Sequence, residues 1–166
     1  MAETPKRLRP ADVCDVRPDT VRICDFIFND YGGRIVFQGT IVTVSTFEDN
    51  TKVREVLGTD GTGKVLVVDG GGSRRHALMG GDVAALAATS HWEGVVFNGC
   101  IRDAHEIAEK DVGIKALGIN PRAPLKKGRG EVDIPVRFAG VDFGPGEYLY
   151  ADGDGIAVLD TPVTDD

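Results

Sequence analysis

Residues 64–117 read KVLVVDGGGSRRHALMGGDVAALAATSHWEGVVFNGCIRDAHEIAEKDVGIKAL. Three runs in it, Lys64 to Asp69, Gly94 to Gly99 and Val112 to Leu117, are short, Val- and Ile-rich and bounded by glycine or charge. That is how strands buried on both faces read. The Ala-rich stretch Asp82 to Thr89 and the stretch Arg102 to Lys110 lie between them and read as helices. Strand, helix, strand, helix, strand predicts a parallel core with right-handed crossovers. The expectation is an α/β fold with a parallel βαβ core and flanking β-strands. A chain of 166 residues suits one domain, 1–166, with residues 1–9 and 160–166 as loose tails.

Outward from that core, the signals are weaker. Upstream, Asp12 to Val16 reads as a short helical turn. Arg34 to Thr46 reads as one long strand or a strand pair broken at Gly39. Glu48-Asp49-Asn50 can cap a helix running through Leu57, and Thr59 to Gly63 is a turn. Downstream, residues 119–130 form a polar, basic loop with Pro121 and Pro124. The rest is β: Val132 to Phe138, a turn at Ala139-Gly140, Val141 to Phe143, Tyr148 to Ala151 and Ile156 to Leu159.

Composition excludes several classes. A net charge of −7 argues against direct nucleic-acid binding, which needs a basic face, but leaves room for docking onto basic protein segments. No run is long enough to cross a membrane, and the polar start at Met1-Ala2-Glu3 carries no secretory signal. Cys14, Cys24 and Cys100 are odd in number and lack metal spacing, as expected of reduced cytoplasmic thiols. The 22 glycines are scattered among Val- and Ile-rich runs, which implies tight turns and close backbone approaches.

The chemistry concentrates in two stretches. Gly80-Gly81-Asp82-Val83 opens a helix and offers backbone N–H groups to an anion. After twenty intervening residues, Gly81 is followed by Arg102 and Asp103, then Glu106. An arginine can clamp a carboxylate, and two carboxylates three residues apart suit a hard cation such as Mg²⁺. Each part alone is a weak signal: a glycine pair before a helix is usually a turn, and Asp103 or Glu106 could simply cap the next helix. Their pairing across a βαβ unit is the stronger one, because ligands sit at the carboxyl ends of parallel strands. Anion seat, clamp and metal together describe a site for a small keto acid.

The rivals are poorer. His91 and His105 have no partners at metal spacing, and Cys100 reads as a packed residue at a strand end. Asp152-Gly153-Asp154-Gly155 lacks the later ligands of a calcium loop and reads as a tight turn. Lys64 and Lys115 could form a Schiff base, but both read as strand-edge lysines.

Five stretches carry a family resemblance: Leu66-Val67-Val68-Asp69-Gly70, Met79-Gly80-Gly81-Asp82, Gly99-Cys100-Ile101-Arg102-Asp103, Gly118-Ile119-Asn120-Pro121 and Tyr150-Ala151-Asp152-Gly153-Asp154-Gly155. Over residues 10–160 the chain resembles the RraA-like family, which includes regulators of ribonuclease activity A and 4-hydroxy-4-methyl-2-oxoglutarate aldolases. The resemblance implies a swivelling β/β/α fold of the phosphohistidine-domain type, assembled as a homotrimer or dimer of trimers with sites near subunit boundaries. It implies that the backbone of Gly80, Gly81, Asp82 and Val83 holds a pyruvyl carboxylate and that Arg102 binds the same substrate. Asp103 would hold a divalent metal, Mg²⁺ or else Mn²⁺, with Glu106 acting on it through water. The implied substrates are 4-hydroxy-4-methyl-2-oxoglutarate and oxaloacetate, both giving pyruvate. The other implied role is inhibition of an RNase E-type endonuclease. Dedicated aldolases of the family carry a longer C-terminal segment that lends an acidic residue to a neighbouring site. This sequence stops soon after its last strand, so decarboxylation is the safer expectation.

Overall fold

The computed structural model describes residues 3–165. Helix α1 (Pro10–Val16) opens on Pro10, whose missing N–H costs nothing at a helix start. Two short strands follow, β1 (Arg22–Ile23) and β2 (Asn29–Asp30), then the long β3 (Phe37–Ser45). Helix α2 (Thr51–Leu57) buries Val53 and Leu57 and leads into β4 (Lys64–Asp69). Helix α3 (Gly81–Thr89), β5 (Gly94–Asn98), β6 (Cys100–Ile101), the single-turn helix α4 (Ala104–Ile107), β7 (Gly113–Ala116) and β8 (Gly118–Ile119) complete the central run. The chain ends with β9 (Glu131–Val132), β10 (Val136–Phe138), β11 (Val141–Phe143), β12 (Tyr148–Asp152) and β13 (Gly155–Leu159).

A nine-stranded mixed sheet runs β1-β13-β12-β3-β4-β5-β7-β2, with β9 added to β3. Its centre, β3, β4, β5 and β7, is parallel, and β12, β13, β1 and β2 join antiparallel. Alternation along β4 explains the two cores. Leu66 and Val68 face the helices with Val53, Val83, Ala84 and Ile107. Val65 and Val67 face the β10–β11 hairpin, where Val136, Phe138, Val141 and Phe143 close the other side. Both faces of the central strands are thus covered, which is why they read as continuous apolar runs.

Several expectations are corrected. Gly39 does not break β3; a Cβ there would stand 2.8 Å from the Gly63 carbonyl oxygen, so glycine permits a close backbone crossing in an unbroken strand. The helix expected over Arg102 to Lys110 shrinks to one turn, because Asp103 adopts a left-handed backbone (φ 57°) and the chain turns again to enter β7. The strand expected from Val132 to Phe138 is two strands, parted by Asp133 at φ 59° and by Pro135. The described tail residues are not loose: Lys6 N–H donates to Val163 at 2.8 Å, Pro5 bridges Thr164, and Leu8 N–H donates to Gln38. Residues 1, 2 and 166 of the expected tails lie outside the described residues. Lys115 is not an edge lysine. It is enclosed in β7, with Asp30 at 2.9 Å and the Asp152 carbonyl at 2.8 Å.

Candidate active site

Strand β4 and the segment after it deliver Gly80 to the start of α3, while β5 and β6 deliver Arg102 and Asp103 beside it. A backbone bond from Arg102 N–H to the Met79 carbonyl (2.9 Å) locks the two stretches together. The twenty-residue spacing therefore closes in space. An ideal Cβ at Gly80 would lie 2.7 Å from Asp103 Oδ2 and 3.4 Å from Arg102 Nε. One at Gly81 would lie 2.0 Å from Glu106 Oε2. Only glycine lets these three side chains gather over the helix start.

Asp103 is formally the N-cap of α4, yet its side chain does not cap that helix. Its Oδ2 instead accepts the Gly81 N–H at 2.9 Å, at the head of α3. The simple capping reading therefore fails, and a strained αL residue is used to turn a carboxylate toward the neighbouring element. The bond also narrows the anion seat. Gly81 N–H is engaged, whereas the N–H groups of Gly80, Asp82 and Val83 have no hydrogen-bond partner among the described residues.

Arg102 gives the clearest sign of a ligand. Its Nε is buried without a hydrogen-bond partner, and its Nη1 reaches only the Pro121 carbonyl at 3.4 Å. Arg22, whose Nε is also unpartnered, holds Glu147 and Asp160 at 2.7 Å each. Arg102 pairs with no carboxylate among the described residues, and an unpaired buried donor is costly unless something fills the place. Gly80, Gly81, Asp82, Val83, Arg102 and Asp103 line an open cleft with Asn50, Arg54, Pro124 and Lys126; Glu106 is not among its lining residues.

A metal would find hard oxygen donors here. No group of three or more His, Cys, Asp or Glu gathers among the described residues. The protein could therefore offer the two carboxylates Asp103 and Glu106, leaving remaining positions to water and substrate, a donor set that suits Mg²⁺. The rival nucleophiles are unsuited. Burial pushes the Cys100 thiol up, and burial with the neighbouring Asp25 carboxylate pushes Cys24 to about 12. Asp152 to Gly155 forms the tight turn between β12 and β13.

Sequence reasoning missed Asn50, Arg54 and Lys126. The basic character of residues 119–130 was visible, and so was Arg54 on a short helix. Nothing in the spacing showed that α2 and that loop meet at the α3 start.

The sequence profile of the RraA-like family, described as Aldolase/RraA, matches residues 10–158. A protein of Azotobacter vinelandii named "Putative 4-hydroxy-4-methyl-2-oxoglutarate aldolase" is 51% identical over 92% of this chain and 94% of its own length. The crystal structure of a protein from Geobacillus kaustophilus described as S-adenosylmethionine: 2-dimethylmenaquinone methyltransferase is 44% identical, with a TM-score of 0.92 over 94% of this chain and 97% of that one. The RNA-processing inhibitor RraA of Thermus thermophilus is 42% identical, also with a TM-score of 0.92, over 96% of each chain. With the same mixed α/β architecture and sequence similarity along nearly its whole length, the chain belongs to the RraA-like family.

Proposed function

We propose that this protein is a divalent-metal-dependent carbon–carbon lyase, cleaving 4-hydroxy-4-methyl-2-oxoglutarate and decarboxylating oxaloacetate through a shared pyruvate enolate. The observation that carries this reading is the buried, unpartnered Nε of Arg102 beside free N–H groups at the start of α3. Relatives named as aldolases of that substrate support it.

In this reading the N–H groups of Asp82 and Val83, at the positive end of α3, hold the substrate's C1 carboxylate. Asp103 would hold Mg²⁺ (or Mn²⁺) and Glu106 would act on it through water. When bound, the cation supplies Lewis acidity at the 2-keto oxygen. Arg102 Nε–H, buried and without a partner, donates to the oxygen on which charge develops. In cleavage the C3–C4 bond breaks, its electron pair passes into the C2–C3 enolate, and the C4 hydroxyl gives up its proton as C4 becomes a carbonyl. In decarboxylation the same pair comes from the bond to the leaving CO₂. Protonation at C3 gives pyruvate in both.

The test is pyruvate release from each substrate with Mg²⁺ and then with EDTA. Chelator-sensitive turnover that disappears in Asp103→Ala is the expected result; unchanged rates in that variant would sink the reading.

A second reading has its own support, the 42% identity to an RNA-processing inhibitor. Here the acidic chain docks on basic segments of an RNase E-type endonuclease. A pull-down weakened by salt would favour it, and no retention even at low salt would remove it.

A further inference from the structure

Arg54 and Lys126 line the same cleft as the glycines and Arg102, yet neither makes a hydrogen bond or ion pair through its side chain among the described residues. The acids around them do not pair with them: Asp103 accepts the Gly81 N–H, and Asp82 forms no ion pair among the described residues. Glu55 pairs with Lys52 at 3.4 Å, and the Asp49 carboxylate accepts the N–H groups of Thr51 and Lys127. The cleft continues into a wider space bounded by Asn50, Thr51, Arg54, Leu86 and Lys126. One end of the site thus holds Arg102 and helix N–H groups, and the cleft carries two further cations that form no ion pair with its acids, Asp82 and Asp103, among the described residues.

We propose that Arg54 and Lys126 form a second carboxylate subsite that takes the distal carboxylate of a keto diacid, and that this subsite sets the balance between aldol cleavage and decarboxylation. The inference rests on the lyase reading of the cleft. Its logic is the fate of charge. In aldol cleavage the distal carboxylate sits on C4, keeps its charge throughout and leaves as part of the second pyruvate. Cations that hold it stabilise ground state and transition state alike and position C4. In oxaloacetate decarboxylation the distal carboxylate is itself the leaving group and sheds its charge as CO₂ forms. Cations that hold it stabilise the ground state more than the transition state and so slow the step. The same two residues therefore favour one reaction and restrain the other.

The test uses the purified full chain with Mg²⁺ and two inert keto acids. 2-Oxoglutarate has a distal carboxylate, whereas 2-oxopentanoate has the same chain without it. By calorimetry the wild type binds 2-oxoglutarate about tenfold or more tightly, and Arg54→Met with Lys126→Met erases that preference. In turnover, Arg54→Met lowers kcat/KM for 4-hydroxy-4-methyl-2-oxoglutarate by about tenfold. Meanwhile kcat for oxaloacetate holds or rises. A preference that survives in the double variant, or equal losses on both substrates, overturns the subsite. Wild-type turnover without any binding preference also overturns it and leaves the lyase reading standing. Preference for 2-oxoglutarate without turnover of either substrate overturns the lyase reading instead, and with it the role in reaction balance.

Discussion

Asp103 shows how much of this site depends on one backbone angle. A left-handed conformation costs a non-glycine residue roughly 1–2 kcal/mol, and it is retained because it swings a carboxylate onto Gly81 N–H. Asparagine tolerates the same conformation and offers a neutral oxygen to the same donor. Asp103→Asn is therefore expected to melt within a few degrees of wild type while metal-dependent pyruvate release falls by about 100-fold. Thermal denaturation and a coupled pyruvate assay on the same preparation check both halves. Gly81→Ala tests the neighbouring contact. The new methyl would collide with the end of the Glu106 side chain, which is exposed and free to swing away. The fold should tolerate it, and turnover should drop by about tenfold as Glu106 leaves its place. A rate equal to wild type would mean that Glu106 does no work. Arg102, Asp103 and the glycines were legible in the sequence because a fixed spacing across a βαβ unit maps onto one crevice. The αL turn at Asp103 was not, because only tertiary contacts decide which donor a lone aspartate finds.

Among the elements, α2 and the 119–130 loop are joined through Asp49. Its enclosed carboxylate accepts Thr51 N–H at 2.9 Å and Lys127 N–H at 2.6 Å. Burial is the largest single influence and raises its pKa. Hydrogen bonds from Thr51, Lys127 and Arg129 outweigh it and hold the group below its ordinary 3.8. A depressed carboxylate contributes stability in full above its unfolded value and loses it as pH falls through the folded one. Asp49→Asn should thus cost about 1.5–3 kcal/mol at pH 7 in urea titrations. The gap should narrow once the pH falls below 3.8, and a gap independent of pH would refute the charge argument. A second prediction concerns the sheet. Gly94 and Gly113 pair in register under one Phe37 ring, which lies 2.3 Å and 2.1 Å from where their Cβ atoms would be. Gly94→Ala should cost about 1–3 kcal/mol, and Phe37→Leu should recover part of it in a double-mutant cycle. The parallel strands themselves were readable because burial on both faces writes an unbroken apolar run. The start of α4 and the split between β9 and β10 were not, since a local φ at Asp103 sets the one and a local φ at Asp133 ends β9, and no periodicity encodes either.

For the whole molecule, the apolar surface is unevenly spread. Of eight large apolar side chains left substantially exposed among the described residues, Val16, Ile23, Phe26, Ile27, Ile35 and Val36 fall in one stretch of sequence, and Phe26 is 72% exposed. That stretch also contains β1 and β2, the two edge strands of the main sheet. Unpaired edges and exposed apolar residues are both hazards for a free monomer. An interface on that stretch would suit the trimer that the family resemblance implies. Light scattering on the eluted protein should then give three times the 17.7 kDa chain mass, or six times for a dimer of trimers. Phe26→Asp places a charge in that interface, far along the chain from the Gly81–Arg102 pair. It should yield a folded monomer with unchanged far-UV circular dichroism. If the site lies at a subunit boundary, turnover falls with the trimer and returns at protein concentrations that restore assembly. A fully active Phe26→Asp monomer would confine the whole site to one chain, and a monomeric wild type at micromolar concentration would remove the interface altogether.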